Sequence, residues 1–165
     1  MKPKMEVHIM ATLNSSSRDK QATATVRSAI RILEQEMREY GPDLSHGASV
    51  RNHLQLTLQS EERELFGCLY LTAQNQLIEW NPMFYGTLTQ TSVYPREILR
   101  RALLVNAGGV ILAHNHPSGN AKPSTADKFL TRTIKEMLEL IDTRVLDHFI
   151  VGRDGIFSFA EEGLL

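Results

Sequence analysis

The chain has 165 residues, 42% of them hydrophobic and 22% charged, which suits one soluble domain with its own core rather than a disordered or fibrous chain. Its formal net charge of −1 excludes a molecule-wide electrostatic drive toward nucleic acid or anionic membrane. The single cysteine, Cys68, excludes an intrachain disulfide, and no apolar run reaches the roughly 20 residues of a membrane-spanning helix.

Cysteine usage fits a reducing, cytoplasmic setting. The apolar stretch after Met1-Lys2-Pro3-Lys4 is short and broken by Glu6 and His8, which is not the pattern of a signal peptide. Residues 1–19 lack clear periodicity and read as a loose leader. From Gln21 the apolar residues Val26, Ala29, Ile30, Leu33, Met37 and Tyr40 fall at helical spacing, and Gly41-Pro42 stops that helix. The N-terminal unit is thus a leader and amphipathic helix over residues 1–42, with the main domain over 43–165. A second short helix is expected over Ser49–Leu58.

Leu65–Leu71 is a continuous apolar run of the kind found in strands buried on both faces. Ala73-Gln74-Asn75 turns the chain into a return strand beginning at Gln76–Glu79, which makes a hairpin. A further extended piece is expected through Thr87–Tyr94. Pro95 suits the first position of a helix over Arg96–Asn106, because its missing N–H needs no partner there. Val110–Ala113 reads as a central strand. Phe129, Leu130, Thr133, Ile134, Met137, Leu138 and Ile141 mark a long amphipathic helix. Val145–Val151 and Ile156–Phe159 read as strands around the turn Gly152-Arg153-Asp154-Gly155. Alternating elements with hairpins at both ends predict an α/β (α+β) mixed sheet flanked by helices.

The segment with the most chemistry is His114-Asn115-His116-Pro117-Ser118-Gly119, followed by Pro123-Ser124-Thr125-Ala126-Asp127. Residues two apart on extended backbone share a side, so His114 and His116 can aim both imidazoles at one point. Asp127, in the first turn of the next helix, can bring a carboxylate to the same point. Two neutral histidines and one carboxylate form a tripod suited to one Zn²⁺ with a fourth position open. Ser124-x-x-Asp127 also has the form of a helix cap, and the two roles are compatible. A hydrolase of this kind also needs a base that is not itself a ligand, and Glu61, Glu62 and Glu64 are the acids upstream of the first strand.

The spacing His-x-His, seven residues, Ser, two residues, Asp resembles the JAMM motif of the JAB/MPN metalloproteases. The wording around it resembles the bacterial RadC-like branch. Tyr94-Pro95-Arg96-Glu97-Ile98, Asn106-Ala107, Leu146-Asp147-His148 and Phe157-Ser158-Phe159-Ala160-Glu161 agree with it. The resemblance implies a JAB/MPN-like fold, similar to the cytidine-deaminase-like three-layer arrangement. It implies zinc ligands at His114, His116 and Asp127, and an oxyanion-stabilising serine at Ser124. It also implies a catalytic glutamate just before a Gly-containing apolar strand; Glu64-Leu65-Phe66-Gly67 fits, and Glu64 is preferred over Glu61 and Glu62. The expected activity is zinc-dependent hydrolysis of a peptide or isopeptide bond in a peptide or protein substrate.

The alternative reading is a RadC-like nucleic-acid or DNA-repair accessory protein without peptidase activity. Longer relatives carry a helical region resembling helix-hairpin-helix DNA binders; residues 1–42 show no Gly-containing hairpin between two helices. Arg96, Arg100, Arg101, Lys122, Lys128, Arg132 and Lys135 are read as solvated faces rather than a nucleic-acid patch. His148 is read as a hydrogen-bonded core histidine, and His8, His46 and His53 as surface or packing residues. Cys68 is read as buried rather than nucleophilic, and Trp80 and Phe84 as core. A nucleobase deaminase is excluded, since its His-x-Glu and Pro-Cys-x-x-Cys elements need two cysteines.

Overall fold

The structure, a computed structural model, describes residues 4–40, 48–86 and 92–165. Their elements, in chain order, are α1 (Lys4–Tyr40), α2 (Ala48–Leu58), β1 (Leu65–Leu71), β2 (Leu77–Tyr85), α3 (Pro95–Leu104), β3 (Gly109–Asn115), α4 (Thr125–Glu139), β4 (Arg144–Gly152) and β5 (Gly155–Ser158). The strands form one sheet in the order β2-β1-β3-β4-β5. Only β3 and β4 run parallel, with α4 as their crossover; the other pairs are antiparallel. The mixed sheet expected from the alternation of elements is the one observed.

Side-chain alternation divides the core into two layers. Leu65, Leu69 and Leu71 of β1, Ile111 and Ala113 of β3, and Phe149 and Val151 of β4 pack with Met37 of α1 and Val50, Leu54 and Leu58 of α2. Phe66, Cys68 and Tyr70 of β1, with Val110 and Leu112 of β3, pack with Ile98 and Ala102 of α3 and Ile134 and Leu138 of α4. The result is helices, sheet, helices. Both faces of β1 and β3 are covered, which is why both strands are buried along their whole length. Each fully buried aliphatic side chain there contributes about 1.5–3 kcal/mol.

Several boundaries differ from the sequence expectation. Helix α1 starts at Lys4, not Gln21, so from Lys4 on the loose leader is corrected to helix. The chain has no Gly or Pro between Lys4 and Tyr40, so nothing breaks the helix even where apolar periodicity fades. Strand β2 begins where the return strand is expected and runs on to Tyr85. Pro82 is tolerated because β2 is an edge strand, and the β1–β2 register shifts beside it, between Phe66 and Gly67. Gly67 fits because Trp80 lies across it; a Cβ there would meet the Trp80 ring and the Asn81 carbonyl. Residues 87–91 of the expected extended piece, and Gly41-Pro42 and His46, lie outside the described residues. Ser92–Tyr94 lead into α3 without joining the sheet. That helix starts at Pro95 as predicted and stops at Leu104, where Asn106 takes a left-handed conformation (φ 54°).

Candidate metal centre

Alternation along β3 decides what each residue of the His-Asn-His triplet faces. Phe66 pairs with His114 across the β1–β3 ladder, so His114 shares the α4 side with Val110 and Leu112. Its ring stacks on Phe66 at 5.8 Å between centroids and is almost fully buried. His116 extends the pairing one step past the strand, its N–H donating to the Val151 carbonyl at 2.9 Å. The chain then turns at Gly119 (φ 97°), and His116 Nδ1 lies 2.8 Å from the Asn120 carbonyl. A carbonyl only accepts, so Nδ1 carries the proton. When the ring is neutral, Nε2 of His116 then presents a lone pair.

Helix α4 brings the third group. Ser124 is its N-cap, and the capping box is complete. Ser124 Oγ accepts from the Asp127 N–H at 3.1 Å, while Asp127 Oδ2 accepts from the Ser124 N–H at 2.7 Å and the Ser124 hydroxyl at 2.6 Å. The cap thus holds the carboxylate toward the histidines. His114 Nε2 lies 3.0 Å from His116 Nε2 and 3.4 Å from Asp127 Oδ1, and His116 Nε2 lies 3.6 Å from Asp127 Oδ2. Among the described residues, these three form the group whose donor atoms lie close enough to share one ion. With one ligand atom from each residue the donors lie within 4.8 Å of one another, and two imidazoles and a carboxylate are a donor set that zinc takes.

The electrostatics favour a cation. Burial pushes His114 down to about 4, with the Asp127 charge opposing and His116 adding to the fall. The Asp127 carboxylate beside it leads the effects that raise His116, and the charge of Glu64 also contributes. Burial alone would raise the Asp127 carboxyl. The neighbouring His116 and His114 rings and the two Ser124 hydrogen bonds outweigh burial and hold it well below the usual carboxylate range. The group is an anion facing two imidazoles at neutral pH.

Glu64 immediately precedes β1, is partly buried, and its charge reaches His116. Its carbonyl accepts from the Gly86 N–H at 2.8 Å, at the end of β2. The loop that carries it is pinned by Asn115, a residue the sequence reading passed over. Asn115 points away from the histidines, to the α2 side. Its Oδ1 accepts from the Leu65 N–H at 2.7 Å, and its Nδ2 donates to the carbonyls of Glu61 at 3.1 Å and Arg63 at 3.0 Å. The signal was present: a residue between two same-face histidines must face the other layer. Beside the centre, a cavity of about 400 Å³ is bounded by His116, Pro117, Ser118, Arg153, Glu61 and Glu62.

The other singled-out residues lie outside the donor cluster. His148 is fully buried, with Nε2 2.9 Å from His114 Nδ1 and Nδ1 2.6 Å from Thr131 Oγ1. Asp147 accepts from the His148 N–H, the Ala160 N–H and the Ser158 hydroxyl, tying β4 to the C-terminal turn. His53 is buried against Trp80 and bonded to Glu34. Phe84 packs between Phe66 and Tyr94. Burial pushes the Cys68 thiol up to about 12, which removes it as a nucleophile. Arg100 and Arg101 of α3 are engaged by Glu97 and Glu79 rather than arrayed as a free basic stripe.

A three-layer mixed sheet with a His-x-His pair at the end of its central strand and a capped Asp on the next helix is the arrangement of a JAB/MPN-type domain. The family described as RadC-like JAB domain matches residues 44–164. The chain belongs to that family. It is 61% identical over 117 residues to a UPF0758 protein of Leptothrix cholodnii, covering 71% of this chain and 53% of that one. A UPF0758 protein of Thiobacillus denitrificans is 53% identical over 142 residues, 86% of this chain and 63% of its own. UPF0758 protein YfjY of Escherichia coli is 48% identical over 144 residues, 87% of this chain and 90% of its own. The chain therefore spans between about half and two thirds of several curated relatives and nearly all of YfjY. No helix of the described residues is long and apolar enough to cross a membrane.

Proposed function

We propose that this chain is a zinc-dependent hydrolase of peptide or isopeptide bonds. The reading rests on one observation: two imidazoles and one carboxylate bring their donor atoms within 4.8 Å of one another, and the charge of Glu64 acts on His116. His114, His116 and Asp127 would hold the ion, and zinc supplies Lewis acidity and brings the pKa of a water to about 7.

Glu64 takes the proton of the attacking water and returns it to the leaving amine. The Asn115 clamp holds the backbone on either side of Glu64, which limits how far that carboxylate strays from the proton it moves. Ser124 serves the developing oxyanion once its hydroxyl turns from Asp127 Oδ2; one such donor is worth about 2.7–4 kcal/mol in other hydrolases. The Ser124 N–H keeps its own bond to Asp127 during that turn. The cavity beside His116 offers room for a substrate side chain.

The test compares metal content and peptidase activity of the wild type, Glu64→Gln and His116→Ala. His116→Ala is expected to lose zinc, and Glu64→Gln to keep zinc and lose turnover. Wild-type protein purified without chelators that holds no zinc and refuses added zinc would overturn the reading.

A further inference from the structure

We infer that His148 and Thr131 form a hydrogen-bond relay that fixes the tautomer of His114 and so presents its Nε2 lone pair to the pocket shared with His116 and Asp127. Its meaning for metal binding rests on the proposed zinc centre, but the proton assignment itself does not.

The assignment follows from donors and acceptors taken in order. The Asp127 carbonyl can only accept, and Thr131 Oγ1 lies 2.6 Å from it. The one hydroxyl hydrogen of Thr131 is therefore spent on that carbonyl. Back-bonding of a threonine to the residue four before it is ordinary in helices and alone implies nothing. Here, however, the same oxygen lies 2.6 Å from His148 Nδ1. With its hydrogen committed, the oxygen accepts, so His148 Nδ1 carries a proton. His148 is fully buried, and Thr131 and His114 occupy its two ring nitrogens. Among the described residues no carboxylate bonds either nitrogen to support a second proton, so the ring is neutral and Nε2 accepts. His114 Nδ1, 2.9 Å away, must then donate, and because burial keeps the His114 ring neutral as well, its Nε2 is bare.

The relay closes on itself. Asp127 ends it with its backbone carbonyl and faces its other end with its carboxylate, 3.4 Å from His114 Nε2. Strand β3, strand β4 and helix α4 are thereby linked through side chains at the point where the ligands meet. Partners of this type, behind a metal-binding histidine, set which ring nitrogen is free and how the ring is oriented. His148 and Thr131 are positioning residues on this view, since neither reaches the shared pocket.

The direct test uses metal-free wild-type protein labelled with ¹⁵N in histidine. Two-bond ¹H–¹⁵N correlation spectra are expected to show His114 and His148 both neutral and protonated at Nδ1. A proton on His114 Nε2 would overturn the relay. The second arm titrates zinc into Thr131→Val and Thr131→Ser. Valine keeps the shape and removes the hydroxyl; affinity is expected to fall about 10–100-fold, with His114 becoming a tautomer mixture, while serine stays within about threefold of wild type. Unchanged tautomer and affinity in Thr131→Val would also overturn it. Wild-type protein that shows the Nδ1 proton on His114 yet refuses zinc sustains the relay and removes the metal reading instead.

Discussion

Asn115→Ala removes a side chain that satisfies three backbone groups at once. The Leu65 N–H loses its acceptor in a buried setting, and the carbonyls of Glu61 and Arg63 lose a shared donor in partly buried ones. A buried group left without its partner costs about 1–3 kcal/mol, and the two carbonyls regain part of theirs from water. The expected loss is therefore about 2–4 kcal/mol of folding stability. Urea unfolding of metal-free wild type and variant, monitored at the single Trp80, measures it as a shift in midpoint at constant slope. Hydrogen exchange should place the loss locally, with the Leu65 amide deprotected far more than amides of β4. Zinc affinity should stay near the wild-type value, because Asn115 lies on the opposite face from both imidazoles. A stability loss below about 1 kcal/mol, or a zinc affinity that collapses with the clamp, would refute the reasoning.

Metal-free protein should lose stability on mild acidification. The folded pKa of His114 is pushed from 6.5 down to about 4, so its contribution is complete above 6.5 and is lost as pH falls toward 4. That term is about 3 kcal/mol; His148, shifted in the same direction, adds to it, while His116, shifted up, opposes it. Chemical denaturation at intervals across this window checks the sign. Ser124→Ala should cost about 1 kcal/mol as a lost cap and should also weaken zinc binding, since the hydroxyl holds Asp127 Oδ2; a thermal melt and a zinc titration separate the two effects. Gly67→Ala should destabilise by about 1–3 kcal/mol, because the new methyl meets the Trp80 ring and the Asn81 carbonyl; a denaturation midpoint unchanged from wild type would contradict the packing described.

Much of this arrangement was legible in the sequence because it depends on period and spacing. The run Leu65–Leu71 reads as a strand covered on both faces, and it is one. His114 and His116 converge with Asp127 because strand alternation and the first helical turn leave them little choice. Helix α1 was truncated because its first half carries no stripe, and a helix without a stripe leaves no mark except the absence of breakers. The start of strand β2 is legible but its end is not, because Pro82 argues against a strand unless the strand lies at an edge, which only the sheet order reveals. His148 was read correctly as a bonded core residue, but its partners lie 17 and 34 residues away. Thr131 had no local signal at all, because its second bond spans two elements.

The alternation of β3 makes the stretch from Gly109 to His116 behave like a reading frame. Losing or gaining one residue upstream of the triplet would turn the imidazoles toward α2 and send the amide of Asn115 toward α4, exchanging their assignments in a single step. Between Pro117 and Pro123 the chain has left the ladder and no such parity applies; what ties that segment to the centre is the Asn120 carbonyl at His116 Nδ1.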